Sequence, residues 1–183
     1  MESLGGAAEA LVMVRTFAPV ARYAVGTFSS VLNLSGALGG DMAPVLDVLD
    51  GDGSLSTSRI AIEDFPLFVR LAEMLQLPRL SNPTVDAVRS RIRIQDGRLH
   101  VAPFRVGLGG LAMTVSGSNG IDQSVDYELG LEVPRAGFAE AALSGLASRA
   151  GPLGAALAAV DPVRVSVRVT GTVSEPALDL GLQ

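Results

Sequence analysis

Val88-Arg-Ser-Arg-Ile-Arg-Ile-Gln-Asp-Gly-Arg-Leu-His-Val101 opens the stretch, ending at Pro134, that decides the fold. Arg89, Arg91 and Arg93 alternate with Val88, Ile92 and Ile94, and after Asp96-Gly97, Leu99 and Val101 alternate with His100. Phe104, Val106 and Leu108 come next, then Leu111, Met113 and Val115. Asn119-Gly120 interrupts the pattern, and Tyr127, Leu129, Leu131 and Val133 alternate with Asp126, Glu128 and Glu132. Period-two alternation sends successive side chains to opposite faces of a sheet. Asp-Gly and Asn-Gly supply the positive φ of tight hairpin turns, so a turn is expected at each. The stretch reads as an antiparallel meander with one apolar and one charged face. What covers the apolar face decides the function.

Working outward, the C-terminal part repeats the pattern. Val163, Val165, Val167 and Val169 alternate with Arg164, Ser166 and Arg168, and Leu178, Leu180 and Leu182 form a last short strand. On the N-terminal side, Gly26 begins a strand with Phe28, Leu32 and Leu34 on one face and Ser29 and Asn33 on the other. Asp41 is placed to cap a short helix bearing Met42, Val45, Leu46 and Leu49, stopped by Asp50-Gly51-Asp52-Gly53. Leu55 to Ile62 is strand-like, with a bulge expected between Ser56 and Arg59. Asp64 and Pro66 open the clearest helix, whose stripe is Leu67, Phe68, Leu71, Met74 and Leu75. Phe138, Leu143 and Leu146 mark a second covering helix, and Leu4 to Arg22 a third.

These elements predict an α+β, β-dominated class: one curved antiparallel sheet of about seven or eight strands, with amphipathic helices inserted and packed on its apolar concave face. Residues 1–25 are assigned to an N-terminal helix and residues 26–183 to one sheet domain. The 183 residues suit that size. With aromatic residues at 4 % and no Trp, the core must be built from Val, Leu, Ile and Ala. The net charge of −5 argues against nucleic acid, which needs a basic surface. Cys is absent, so there is no disulfide framework and no thiolate metal site. No run reads as a signal peptide or a membrane-spanning helix. A chain this apolar without a targeting segment is expected to be cut from a longer protein.

Reactive chemistry is sparse. His100, the single histidine, falls on the polar phase of a strand, with no nucleophilic Cys and no Gly-x-Ser-x-Gly elbow to serve. Asp47, Asp50 and Asp52 before Gly53 fail the calcium-loop register, because Val48 and Arg59 fall where ligands belong. Gly107-Leu-Gly-Gly110 lies between strands and opens no phosphate-holding helix. No catalytic residue, metal or cofactor is assigned. The Arg rows and the row Asp126, Glu128 and Glu132 make cross-strand ion pairs on the solvated face if their strands are neighbours, a reading preferred over a lipid headgroup site. The apolar face closes into an ordinary core where helices cover it fully, and holds acyl chains where cover is incomplete. Its candidate residues are Phe28, Leu32, Leu34, Ile92, Ile94, Val106, Met113, Val115, Tyr127, Leu129, Leu131, Val165 and Val167.

The segments Gly26 to Gly36, Met42 to Leu46, Asp96 to Phe104, Met113 to Ser118, Gly120 to Tyr127 and Val169 to Pro176 together resemble the C-terminal region of AsmA-family proteins, bacterial envelope proteins related to bridge-like lipid transfer proteins. The resemblance covers the chain from about Gly26 to Leu180 and rests on structural motifs. It implies a non-enzymatic module contributing to outer-membrane biogenesis or phospholipid transport. It also implies a place on the periplasmic side of the envelope, anchored in the inner membrane through an N-terminal segment not found here. The implied partners are a phospholipid or other acyl lipid, the membrane, and the rest of the full-length chain. The alternative is a capping or protein-docking module without bound lipid.

Overall fold

The computed structural model describes residues 23–41, 45–137, 148 and 160–182. Over these the chain forms one open antiparallel sheet of eleven strands. They are β1 (Ala24–Val25), β2 (Phe28–Ser35), β3 (Asp50–Thr57), β4 (Ile60–Ile62), β5 (Thr84–Val85), β6 (Arg89–Gln95), β7 (Arg98–Leu108), β8 (Leu111–Gly120), β9 (Val125–Val133), β10 (Val163–Gly171) and β11 (Pro176–Leu182). Helix α1 (Pro66–Leu75) is inserted between β4 and β5. The β-dominated α+β class read from the sequence is the one adopted. The sheet begins at Ala24, inside the segment assigned to an N-terminal helix; the remainder of that helix, and Phe138, Leu143 and Leu146, lie outside the described residues.

Three pairs of strands are halves of longer crossings. β5 and β6 both pair with β7, at Val85↔Leu108 and Ile92↔Val101, and β4 and β3 pair with β5 and β6 in turn. β1 and β2 likewise pair with β4 and β3. Counted as crossings, the eleven strands make eight passes, each beside the one before. The breaks fall together. The buried positions switch parity between Val85 and Ile92, and in β7 between Leu99 and Val106, where the register with β8 shifts. Ser58 and Arg59 interrupt the next crossing at the same height. A bulge adds one residue and bends its strand; a row of them keeps neighbouring crossings in step.

The hairpin at Asp96-Gly97 forms as expected, with φ of 51° and 66°. The one at Asn119-Gly120 does not. β8 runs through Gly120, and the turn is Ile121 to Gln123. Asn119 is buried and its Oδ1 accepts the Tyr127 hydroxyl at 2.7 Å, which holds it inside the sheet. Asp122 shapes the turn by accepting the Ser124 hydroxyl at 2.6 Å and its N–H at 3.0 Å, bonds that lower the carboxyl's pKa. Asp50-Gly51-Asp52-Gly53 does not stop a helix either; it forms half of β3. A Cβ on Gly51 would lie 2.5 Å from Leu34 Cδ2, and one on Gly53 2.9 Å from Leu32 Cδ2 and 2.2 Å from the Val31 carbonyl oxygen. These glycines make room for leucines leaning over from β2. Before β3 the described chain makes a single 3-10 turn, Leu46–Val48, with no side-chain cap.

Helix α1 starts at Pro66, with Phe65 at the N-cap and no side-chain cap bond. Asp64 is not the cap. It adopts φ 53° and gives its N–H to Asn82 Oδ1 at 2.8 Å. The buried face is Phe68, Leu71, Ala72 and Leu75, while Met74 is 38 % exposed and Leu67 packs at the edge. Met74 therefore leaves the expected stripe and Ala72 takes its place. The helix is tied to both sides of the sheet. Phe65 meets Tyr23, next to β1, at a ring-centroid distance of 5.1 Å, and Arg70 Nη1 donates to the Pro176 carbonyl at the start of β11. β1 and β11 end a path of eight hydrogen-bonded strands. Laid flat, such a path would be about 34 Å wide, whereas ten helical residues reach only about 15 Å. The sheet must curl around α1.

Leu71 is fully buried under this curl. Leu71→Ala should lower unfolding free energy by roughly 2–5 kcal/mol. Met74→Ala should stay within about 1 kcal/mol. Urea denaturation of the two variants measures the contrast.

Candidate functional site

The candidate residues fall into rows across the sheet. One row runs Leu32–Gly53–Ile92–Val101–Gly117–Tyr127–Val169–Leu178 through every crossing. Beside it runs Leu34–Gly51–Ile94–Leu99–Asn119–Val125. Beyond the bulges, Phe104–Val115–Leu129–Val167–Leu180 and Val106–Met113–Leu131–Val165 continue the face toward β11. Paired residues share a face, so the expected one-sided apolar surface is assembled from these rows. Phe28 stands in β2 opposite Thr57.

Cover over this face is uneven. Val106, Met113, Leu129, Leu131, Val165 and Val167 are buried in one large cluster with α1, and Val115 and Tyr127 pack against it. Ile92 and Ile94 are buried in a second, smaller cluster with Leu49 and Leu99, lidded by Leu46 and flanked by Ile121 and Leu32. These eight buried side chains are core, and no lipid reaches them in this state. At the β2 end cover by the described residues thins out. Leu34 is 38 % exposed, Leu38 58 % and Val48 53 %. Leu38 and Val48 were not singled out by sequence pattern, because each sits in the irregular segment between β2 and β3, where neither a period of two nor one of 3.6 applies.

The opposite face is polar. Arg164 Nε lies 3.7 Å and Arg105 Nη2 2.9 Å from Glu132, and Arg168 Nη2 lies 3.5 Å from Asp126. Such exposed pairs are each worth little. Arg89, Arg91 and Arg93 do not join them, because β7 and β8 separate β6 from β9. His100 is exposed on this face between Arg93 and Ser118 and lines a shallow depression of about 590 Å³ with Asp126, Glu128, Arg168 and Asp179. Asp47, Asp50 and Asp52 are exposed, and among the described residues no group of three or more His, Asp and Glu is placed to hold a metal ion.

Two polar side chains belong to the apolar rows, Asn119 in the shorter one and Tyr127 in the long one, and the Tyr127 hydroxyl donates to Asn119 Oδ1. Burial pushes its pKa up to about 12, with Arg98 pulling weakly the other way. No family model, curated protein or solved structure matches the chain.

A tyrosine raised in the folded state stabilises fully below its unfolded pKa, near 10, and loses that contribution as pH climbs to about 12. Thermal melts between those limits should show the native chain losing stability faster than Tyr127→Phe. At neutral pH the same variant should be destabilised by about 1–3 kcal/mol, since Asn119 loses a buried donor.

Proposed function

We propose that the domain is a non-enzymatic lipid-handling module of an AsmA-like bacterial envelope protein, acting on the periplasmic side in outer-membrane biogenesis or phospholipid transport. The observation that supports this reading is the gradient of cover along the apolar face, closed under α1 and open at β2. An acyl chain laid on the open end gains about 0.8 kcal/mol for each buried CH₂ and needs no directional contact. Leu32 and Leu34, with the exposed Leu38 and Val48 of the segment between β2 and β3, are the residues assigned to it. The remaining candidates serve as the floor that holds these in place. Transfer of this kind involves no bond-making step, which suits a site of aliphatic side chains.

The docking alternative draws on a separate observation. Among the described residues β2 is an edge strand of eight residues with no charged residue and no proline, whereas the other edge, β11, carries Pro176 and Asp179. Unprotected edges accept further strands. In a longer protein both readings can hold together, with added strands continuing the apolar surface.

The test is uptake of a fluorescent fatty-acid probe, together with solvent extraction of lipid from the purified chain. Leu34→Asp combined with Leu38→Asp should cut uptake severalfold, with a loss of stability that exceeds that of Leu34→Ala combined with Leu38→Ala by no more than about 1 kcal/mol. Leu38 is mostly exposed, and Leu34, though it packs over Gly51, is 38 % exposed. Lipid-free preparations that take up no probe would remove the lipid reading. If Val31→Lys on the same β2 edge then abolished binding to other envelope β-sheet segments, the docking reading would take its place.

A further inference from the structure

We propose that the polar face between β2 and β6 is a binding site for a phosphate ester. Arg89, Arg91 and Arg93 occupy alternate, exposed positions of β6. Residues two apart on a strand lie about 7 Å apart on one face, so the three guanidinium groups repel one another. Four other arginines meet carboxylates, Arg105 and Arg164 at Glu132, Arg168 at Asp126 and Arg59 at Asp86 at 3.4 Å, while Arg98 on β7 is held by the Ser118 and Ser124 hydroxyls. Among the described residues, Arg89, Arg91 and Arg93 make no ion pair. In a chain of net charge −5, the Arg89 and Arg91 end of the stripe, which pairs with serines on β3 and not with carboxylates, runs against the overall balance.

On β3 hydroxyls stand opposite Arg89 and Arg91 and the Asp52 carboxylate opposite Arg93, with the exposed Val31 of β2 beyond Ser54. Arg89 pairs with Ser56, which pairs with Ser29, and Arg91 pairs with Ser54. Arg93, beside Asp52 and His100, marks the far end of the site. Thr27, Ser29, Ser56, Ser58 and Arg89 line an open depression of about 440 Å³ where the bulges interrupt the sheet. Guanidinium forks bind phosphate oxygens bidentately, and the Ser56 and Ser58 hydroxyls, which donate to the Ser29 and Thr27 carbonyls at 3.5 and 3.2 Å, reach the oxygens left over by rotating away from those exposed bonds. A tetrahedral anion with several free oxygens uses such a ring of donors better than a carboxylate does. The site lies on the face opposite the apolar rows, so it goes beyond the lipid reading and does not depend on it. A phospholipid headgroup and a soluble phosphate ester present the same group to it.

The experiment uses the whole 183-residue chain with two probes. Glycerol 3-phosphate is titrated while backbone amide shifts are followed by NMR, and sedimentation with phosphatidylglycerol vesicles is compared with phosphatidylcholine vesicles. Saturable shifts at Ser56, Arg89 and Arg91, weakened about tenfold or more by Arg89→Gln with Arg91→Gln, are expected. Sedimentation with phosphatidylglycerol that the same pair of substitutions abolishes assigns the phosphate to a headgroup. Saturable shifts without vesicle binding assign it to a soluble ester. Arg105→Gln with Arg164→Gln removes equal charge from paired positions and should leave both readouts in place. The proposal is overturned if neither probe binds, if the Arg89 and Arg91 variant binds as the native chain does, or if the two variants lose binding equally.

Discussion

The constraint on which this structure depends is register. A strand shows alternate side chains to alternate faces, so one residue of slip would carry a whole apolar row into water. Here the rows run through eight crossings, and the bulges would cause such a slip if one occurred alone. They do not occur alone. The breaks at Ser58–Arg59, Asp86–Val88 and Ala102–Pro103 lie side by side, so three neighbouring crossings change parity together. The mismatch is passed to the boundary with β8, where the pairing of β7 jumps between Val101 and Phe104. Pro103 suits that place, having no N–H to lose from the ladder.

Curling follows from the same constraint. An apolar face of this length cannot stay open to water, and among the described residues helix α1 closes the part against which Leu71 and Leu75 pack. Leu71 and Leu75 are both fully buried, and each gains roughly 1.5–3 kcal/mol by leaving water. That gain is available only if the sheet bends until strands from both ends reach α1. The Tyr23–Phe65 ring contact and the Arg70 hydrogen bond to Pro176 fix the two ends of the bend. Cover of this kind is local, so among the described residues the β2 side of the bulges is covered by Leu46 and Leu49 and not by α1.

Much of this was legible in local pattern. Alternation located the strands, Asp96-Gly97 located its hairpin, and the helix at Pro66 was visible from its stripe. What was not legible depends on partners distant in sequence. Gly51 and Gly53 read as a stop signal, because the leucines that need the space belong to β2. Asn119-Gly120 reads as a turn, because the tyrosine that holds Asn119 inside lies in the next strand. The Arg rows read as partners of Asp126, Glu128 and Glu132, which is right for Arg164 and Arg168. It is wrong for β6, since strand order decides it and residue types do not. For the candidate site, pattern named the apolar face but could not divide it into core and open surface. That division is set by the reach of α1 and of the segment between β2 and β3.

The glycines of β3 also bear on how an open end could work under the lipid reading. Gly51 and Gly53 interrupt both apolar rows between the leucines of β2 and the isoleucines of β6. The floor there has no side chains of its own, and Leu32 and Leu34 lean into the gap. Shifting one of these leucines from its preferred rotamer costs on the order of 1 kcal/mol. Two methylenes of an acyl chain settling over the vacated glycine offset that cost. A wall of bulky residues at the same place would demand displacement of packed core, at several kcal/mol for each side chain. The same backbone glycines that let β2 pack closely on β3 therefore make this the part of the face that yields most easily to a flexible apolar guest.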